Sequence, residues 1–192
     1  MSHSSAGAGP QAGAAGQHHA PTPAEDPSCD VAHGHAPPPA SGRTLVAVFS
    51  SPVARFLLAY AKDAGFRTVL VEPDAEREPA VQDGVTVVRG MDGQADETAD
   101  VVVTDHHRPE LGPVLRDALA SPARWVGVMG NPRHPAPHIP ALADLGVAPE
   151  EIARVHRPIG LNIGSRTPAE IAVATLAGLI ADRNGRPGGF AF

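Results

Sequence analysis

Short, uninterrupted apolar runs alternate along this chain with segments whose apolar residues recur at helical spacing. Thr44 to Phe49 (TLVAVF) is one such run, the form a strand takes when both faces of a parallel sheet are covered. Val53, Phe56, Leu57, Tyr60 and Ala64 then share one face of a helix over 52–64, which Gly65 ends. The same reading predicts strands at 68–71, 85–88, 100–104 and 124–129, and helices at 110–120, 139–145 and 149–154. The last helix has the sharpest start. Thr167 as N-cap, Pro168 at the first helical position and Glu170 three residues after the cap make a capping box. The residues from Ile171 to Ala181 are nearly all apolar, as in a helix enclosed by the rest of a protein.

Strands and helices alternating over short connections predict an α/β, Rossmann-like fold: a mostly parallel sheet with helices on both faces and right-handed crossovers. The expected strand order is 3-2-1-4-5, with residues 154–157 as a possible short extension. Ligands of such sheets sit beyond the carboxyl ends of the strands, where the order reverses. The loops at 50–52, 72–74, 104–108, 130–134 and 160–167 should therefore share one rim.

Composition divides the chain. Residues 1–42 hold seven Pro, six Gly, ten Ala and five of the ten His, with Val31 the one sizeable aliphatic residue apart from Met1. Such a stretch cannot bury enough apolar surface to offset its ordering entropy, so a disordered tail is expected over 1–42. A folded domain is expected over 43–186 and a flexible terminus over 187–192. The formal charge of −6 has no basic stripe, which argues against nucleic acid as a partner. The sole cysteine, Cys29, rules out an internal disulfide and speaks against a thiolate metal site. No apolar run reaches the length of about eighteen residues that reads as a membrane span, and the charged and apolar regions of a signal peptide are missing. A cytoplasmic protein is the expectation.

Candidate chemistry lies in the rim loops. A dinucleotide fold places a glycine-rich turn after the first strand, whereas this chain has Phe49, Ser50, Ser51 and Pro52. Ser50 and Ser51 can donate to a phosphate or simply cap the helix. Glu72, at the end of the second strand, stands where an acid bonds a ribose hydroxyl pair, or is an ordinary loop acid. Thr104, Asp105, His106, His107 and Arg108 form a titratable cluster fit for acid–base work or for facing a ligand. After the fifth strand come Gly130 for a tight turn, Asn131 for local backbone bonds and Arg133, whose planar fork suits phosphate or carboxylate. Gly160 and Gly164 mark a loop that approaches another backbone or a ligand, and the helix start at Thr167 offers free N–H groups to an anion. His18, His19, His33 and His35 in the tail lack organised partners for a metal, and none is expected.

Pro158 to Ala172 (PIGLNIGSRTPAEIA) closely resembles the terminal segment of the XdhC/CoxI family. Trp125 to Arg133 (WVGVMGNPR) and Leu142 to His156 (LADLGVAPEEIARVH) are similar to the elements that precede it there. These proteins assist maturation of xanthine dehydrogenase and aerobic carbon monoxide dehydrogenase. The resemblance implies an accessory protein that holds the anionic molybdenum cofactor (molybdopterin) and hands it to a molybdenum hydroxylase apoenzyme. It also implies departures. The family carries a G-A-G-like turn where this chain has Phe49 to Ser51, a T-H-D-H-like string at Thr104 to His107, and G-S-R-R at Gly130 to Arg133. Full-length members begin with a small domain bearing an S-G-G-C-V-E-like segment, in place of which this chain has its tail, so a partner carrying that domain is expected. Two other readings stay open: an NAD(P)- or nucleotide-binding oxidoreductase or regulator, and a degenerate interaction module. No Tyr–Lys or His–Asp hydride-transfer pair is recognisable, and Lys62 is the one lysine. A binding protein is therefore expected rather than an enzyme.

Overall fold

A computed structural model describes residues 27–37, 42–131 and 133–189. Of the tail expected over 1–42, residues 1–26 and 38–41 lie outside the described residues, as do residues 190–192 of the flexible terminus expected over 187–192. The chain divides into two units between Pro39 and Ala40. In the first, helix α1 (Pro27–Ala32) is followed by a turn in which the Asp30 carbonyl accepts from the amides of His35 and Ala36.

The second unit holds a five-stranded parallel sheet in the order β3-β2-β1-β4-β5. Its strands are β1 (Thr44–Val48), β2 (Arg67–Val71), β3 (Thr86–Val88), β4 (Ala99–Val103) and β5 (Trp125–Val128). Each lies within a residue or two of its expected range. In place of the short strand expected at 154–157 there is a single bridge: His156 donates to Val126 and accepts from Val128, beside Gly127.

Alternation along β1 explains the layers. Leu45 and Ala47 point to one face with Leu70 and Val102, where they meet α2 (Pro52–Asp63) and α6 (Pro168–Arg183). Val46 and Val48 point to the other with Val71 and Val103, where they meet α3 (Leu111–Ala120), α4 (His138–Ala143) and α5 (Pro149–Ile152). Both faces are covered, so all five β1 residues are buried, as an uninterrupted apolar run requires. This is the Rossmann-like arrangement expected.

The opposite edge of the sheet from the rim is tied by a buried acid. Asp100 accepts from Arg124 at 2.7 Å and from Arg183 at 2.7 Å, which anchors the end of α6 to the start of β4. With α6 held at its far end, its first turn is fixed near the carboxyl ends of the strands. No helix among the described residues is long and apolar enough to cross a membrane.

Candidate functional site

Beyond the ends of β4 and β5 opens a cleft of about 940 Å³, bounded by three of the predicted loops and the first turns of α6. Thr104, Asp105 and His106 line it from the β4 loop, and Gly130, Asn131 and Arg133 from the β5 loop. Gly160 and Gly164 line it from the loop that enters α6, together with Arg166. Arg133 and the bend at 164–166 thus border one space.

Each loop is shaped by its own short bonds. The Asp105 carboxylate accepts from the His107 amide at 2.9 Å, and Asn131 Oδ1 accepts from the Arg133 amide at 2.9 Å. Both are local turns of the kind Asp and Asn favour. The His106 and His107 rings lie 4.1 Å apart. Burial holds His106 below the ordinary imidazole value, helped by the charges of His107 and Arg157 and opposed by the Met129 carbonyl and Asp105. His106 therefore faces the cleft as a neutral imidazole near pH 7.

The two loop glycines do different work. Gly160, at φ 84°, presses on α6: a Cβ there would lie 3.0 Å from the Ala174 carbonyl carbon and the Thr175 nitrogen. The Leu161 amide bonds the Ala174 carbonyl at 3.0 Å, which seats the loop on the helix. Gly164, at φ 70°, has open space around it and serves the turn alone.

The start of α6 differs from expectation. Its capping box is formed, but the anion at the helix start is the chain's own. The Glu170 carboxylate accepts from the amides of Arg166 at 2.7 Å and Thr167 at 3.0 Å, while Thr167 Oγ1 accepts from the Glu170 amide. These bonds hold the Glu170 carboxyl below the usual range. Thr167 does not line the cleft. Arg166, which pattern reading passed over, does, and its guanidinium has no protein partner among the described residues; the same holds for Arg133. Arg166 carried one visible signal, its place between the second loop glycine and the helix cap.

The β1 rim is closed. Phe49 takes φ 71°, a conformation that normally selects glycine, and its ring is fully buried. The Arg108 guanidinium lies 4.8 Å from the centre of that ring. Arg108 turns away from the histidines to pair with Glu72 at 3.0 Å and Glu110 at 3.2 Å. Glu72 is fully buried, and its two oxygens accept from the Ser50 and Asp74 amides and twice from Arg108. Four bonds occupy the lone pairs of a carboxylate, so none is left for a ribose.

Ser51 caps α2, accepting from the Ala54 amide at 3.0 Å. Thr104 Oγ1 spends its proton on the Val48 and Phe49 carbonyls, so the 2.9 Å contact between the two hydroxyls is a donation from Ser51. Ser50, Ser51 and Glu72 do not line the cleft. Among the described residues, no group of three or more His, Cys, Asp or Glu is arranged to hold a metal ion.

Residues 45–179 match the family model of the XdhC Rossmann domain. The uncharacterized protein YqeB of Escherichia coli K12 is 33% identical over 102 residues, which cover 53% of this chain and 18% of that protein. The crystal structure of a xanthine dehydrogenase from Bacillus halodurans aligns with a TM-score of 0.57 at 21% identity, covering 78% of this chain and 45% of that one. That likeness is one of fold. The chain spans less than half the length of either relative.

Proposed function

Because the chain belongs to the XdhC family through its Rossmann domain, we propose that it serves maturation of a molybdenum hydroxylase, holding the anionic molybdenum cofactor in the cleft. The observation that carries this is the pair Arg133 and Arg166, two guanidiniums without protein partners among the described residues, on one cleft beyond the strand ends. An unpaired guanidinium offers a planar fork suited to a phosphate monoester. The cleft volume falls within the roughly 300–1,000 Å³ of small-molecule sites.

The donor set fits the cofactor's organic part. Arg133 and Arg166 would hold its phosphate, while Asp105 and Asn131 supply acceptor and donor groups for the edge of a pterin. Ile159, Leu161 and Ile171 give the opposite wall an apolar surface for a flat ring. When bound, the group supplies the metal and dithiolene chemistry of the client enzyme. The residues of this chain bind, orient and shield it, and His106 stands ready as a neutral hydrogen-bonding partner. The client apoenzyme, and a partner bearing the family's N-terminal domain, complete the reading.

A dinucleotide fits less well. It needs close backbone approach at the β1 turn and a free acid at the end of β2. Phe49 and the saturated Glu72 oppose both. The test is retention: chain mixed with molybdopterin, passed through gel filtration and assayed by fluorescence of the oxidised pterin. Co-elution is expected for the native chain and loss for the double variant R133A/R166A. Pterin that elutes apart from the native chain would refute the reading.

A further inference from the structure

A second cavity, of about 520 Å³, lies between α4 and α5 and shares no lining residue with the cleft. Ile139, Ala143, Ile152 and Val155 give it apolar walls, and His138 and Arg157 are the polar residues at its boundary. His138 is 4% exposed, and its Nδ1 is buried with no hydrogen-bond partner. Arg157 Nε is likewise buried and unpaired. Buried polar nitrogens are ordinarily matched, and unmatched ones call for a ligand or a function.

The remaining chemistry narrows what the cavity would take. Arg157 uses its terminal nitrogens on the carbonyls of Asn131 at 3.0 Å and Pro135 at 3.1 Å, and no carboxylate among the described residues pairs with its charge. Burial and the Arg157 charge hold His138 in the neutral form, with one donor and one acceptor nitrogen. The Arg157 charge beside a neutral imidazole favours an anion, with the unpaired His138 nitrogen as its hydrogen-bonding partner. Apolar walls favour a hydrocarbon body behind it.

We propose that this cavity is a binding site for a small monocarboxylate with an apolar body, built from His138, Arg157 and the facing walls of α4 and α5. Arg157 links it to the cleft. Its guanidinium supports the loop from Asn131 to Pro135 and packs so closely under Gly130 that a Cβ there would lie 2.5 Å from Nε. A carboxylate drawn to Arg157 would bear on the loop that carries Arg133. The site stands apart from the molybdenum reading, and its test uses no cofactor.

The experiment is a heteronuclear NMR titration of the full chain with benzoate, with benzyl alcohol as the uncharged control of the same body. Benzoate is expected to give saturable shifts at Ile139, Ala143 and Arg157, with the alcohol binding about tenfold more weakly or less. The exposed Ala143 lines the cavity, so Ala143→Trp fills it from the surface without touching the core and is expected to abolish the shifts. Absence of saturable shifts with benzoate, an equal response to the alcohol, or unchanged binding by the Ala143→Trp variant would each overturn the proposal.

Discussion

Phe49, Glu72 and Arg108 show how a few side chains alter what a common fold can hold. Where a dinucleotide fold keeps a glycine, Phe49 accepts a left-handed backbone, and its buried ring carries the Arg108 guanidinium. Arg108 in turn neutralises a carboxylate with no exposed surface. Removing one partner of such a pair leaves a buried charge, so Arg108→Ala is expected to lower unfolding free energy by about 3–5 kcal/mol. Denaturant unfolding checks this. A loss under 1 kcal/mol would mean that the Ser50 and Asp74 amides suffice for Glu72.

The missing glycine at Phe49 is legible in the sequence, but the pairing of Glu72 with Arg108 is not. Pattern reading grouped Arg108 with the histidines beside it and could not show that its side chain points the other way. It ranked Glu72 by position, whereas the bonds its oxygens make depend on two loops distant in sequence. Arg166 is hidden for a related reason: the capping motif points to Thr167, and only the folded turn shows Glu170 taking the amides of Arg166 and Thr167 just before the helix while the Arg166 side chain lines the cleft.

At the scale of elements the correspondence is close. Strands covered on both faces give short, nearly continuous runs of β-branched and apolar residues, whereas an amphipathic helix interrupts its apolar residues at helical spacing, so TLVAV, TVLV and DVVV declare themselves. Thr167, Pro168 and Glu170 likewise fix the start of α6, since only a helix N-terminus uses that combination. The bridge at His156 was less readable because a single paired residue leaves no periodicity. The loop before α6 offers a comparison between its glycines. Gly160→Ala adds a clash with helix backbone to the strain of its positive φ, whereas Gly164→Ala adds strain alone. Each should destabilise by about 1–3 kcal/mol from strain, with the first the larger. Thermal unfolding of the two variants reads the difference, and equal losses would contradict close packing at Gly160. Thr167→Ala should cost about 1 kcal/mol through loss of the cap.

For the whole molecule, acid sensitivity follows from groups spread over the domain. His106 and His138 titrate below the ordinary 6.5, so the folded state disfavours their protonation and loses stability as pH falls under that value. Glu110, bonded by Arg108, and Glu170, bonded by the Arg166 and Thr167 amides, titrate below 4.5, and their contribution is present above that pH and fades below it. Unfolding free energy should therefore be flat from about pH 7 upward and decline in two stages on acidification. Glu170→Gln should reduce the lower stage, leaving the part due to Glu110. A tail without an apolar complement should add little to this balance, and we propose that deleting residues 1–42 leaves Tm unchanged; a fall of several degrees would show that it packs.

We propose that two guanidiniums unpaired among the described residues, on one cleft, make this domain a holder of an anionic cofactor, and calorimetric titration of the native chain and of its R133A and R166A variants with molybdopterin and with NADH tests that most directly. The account predicts saturable binding to the native chain, a loss of about tenfold or more in each variant with Tm preserved, and no comparable binding of NADH. Equal affinity in the variants, or NADH binding as tightly as the pterin, would contradict it.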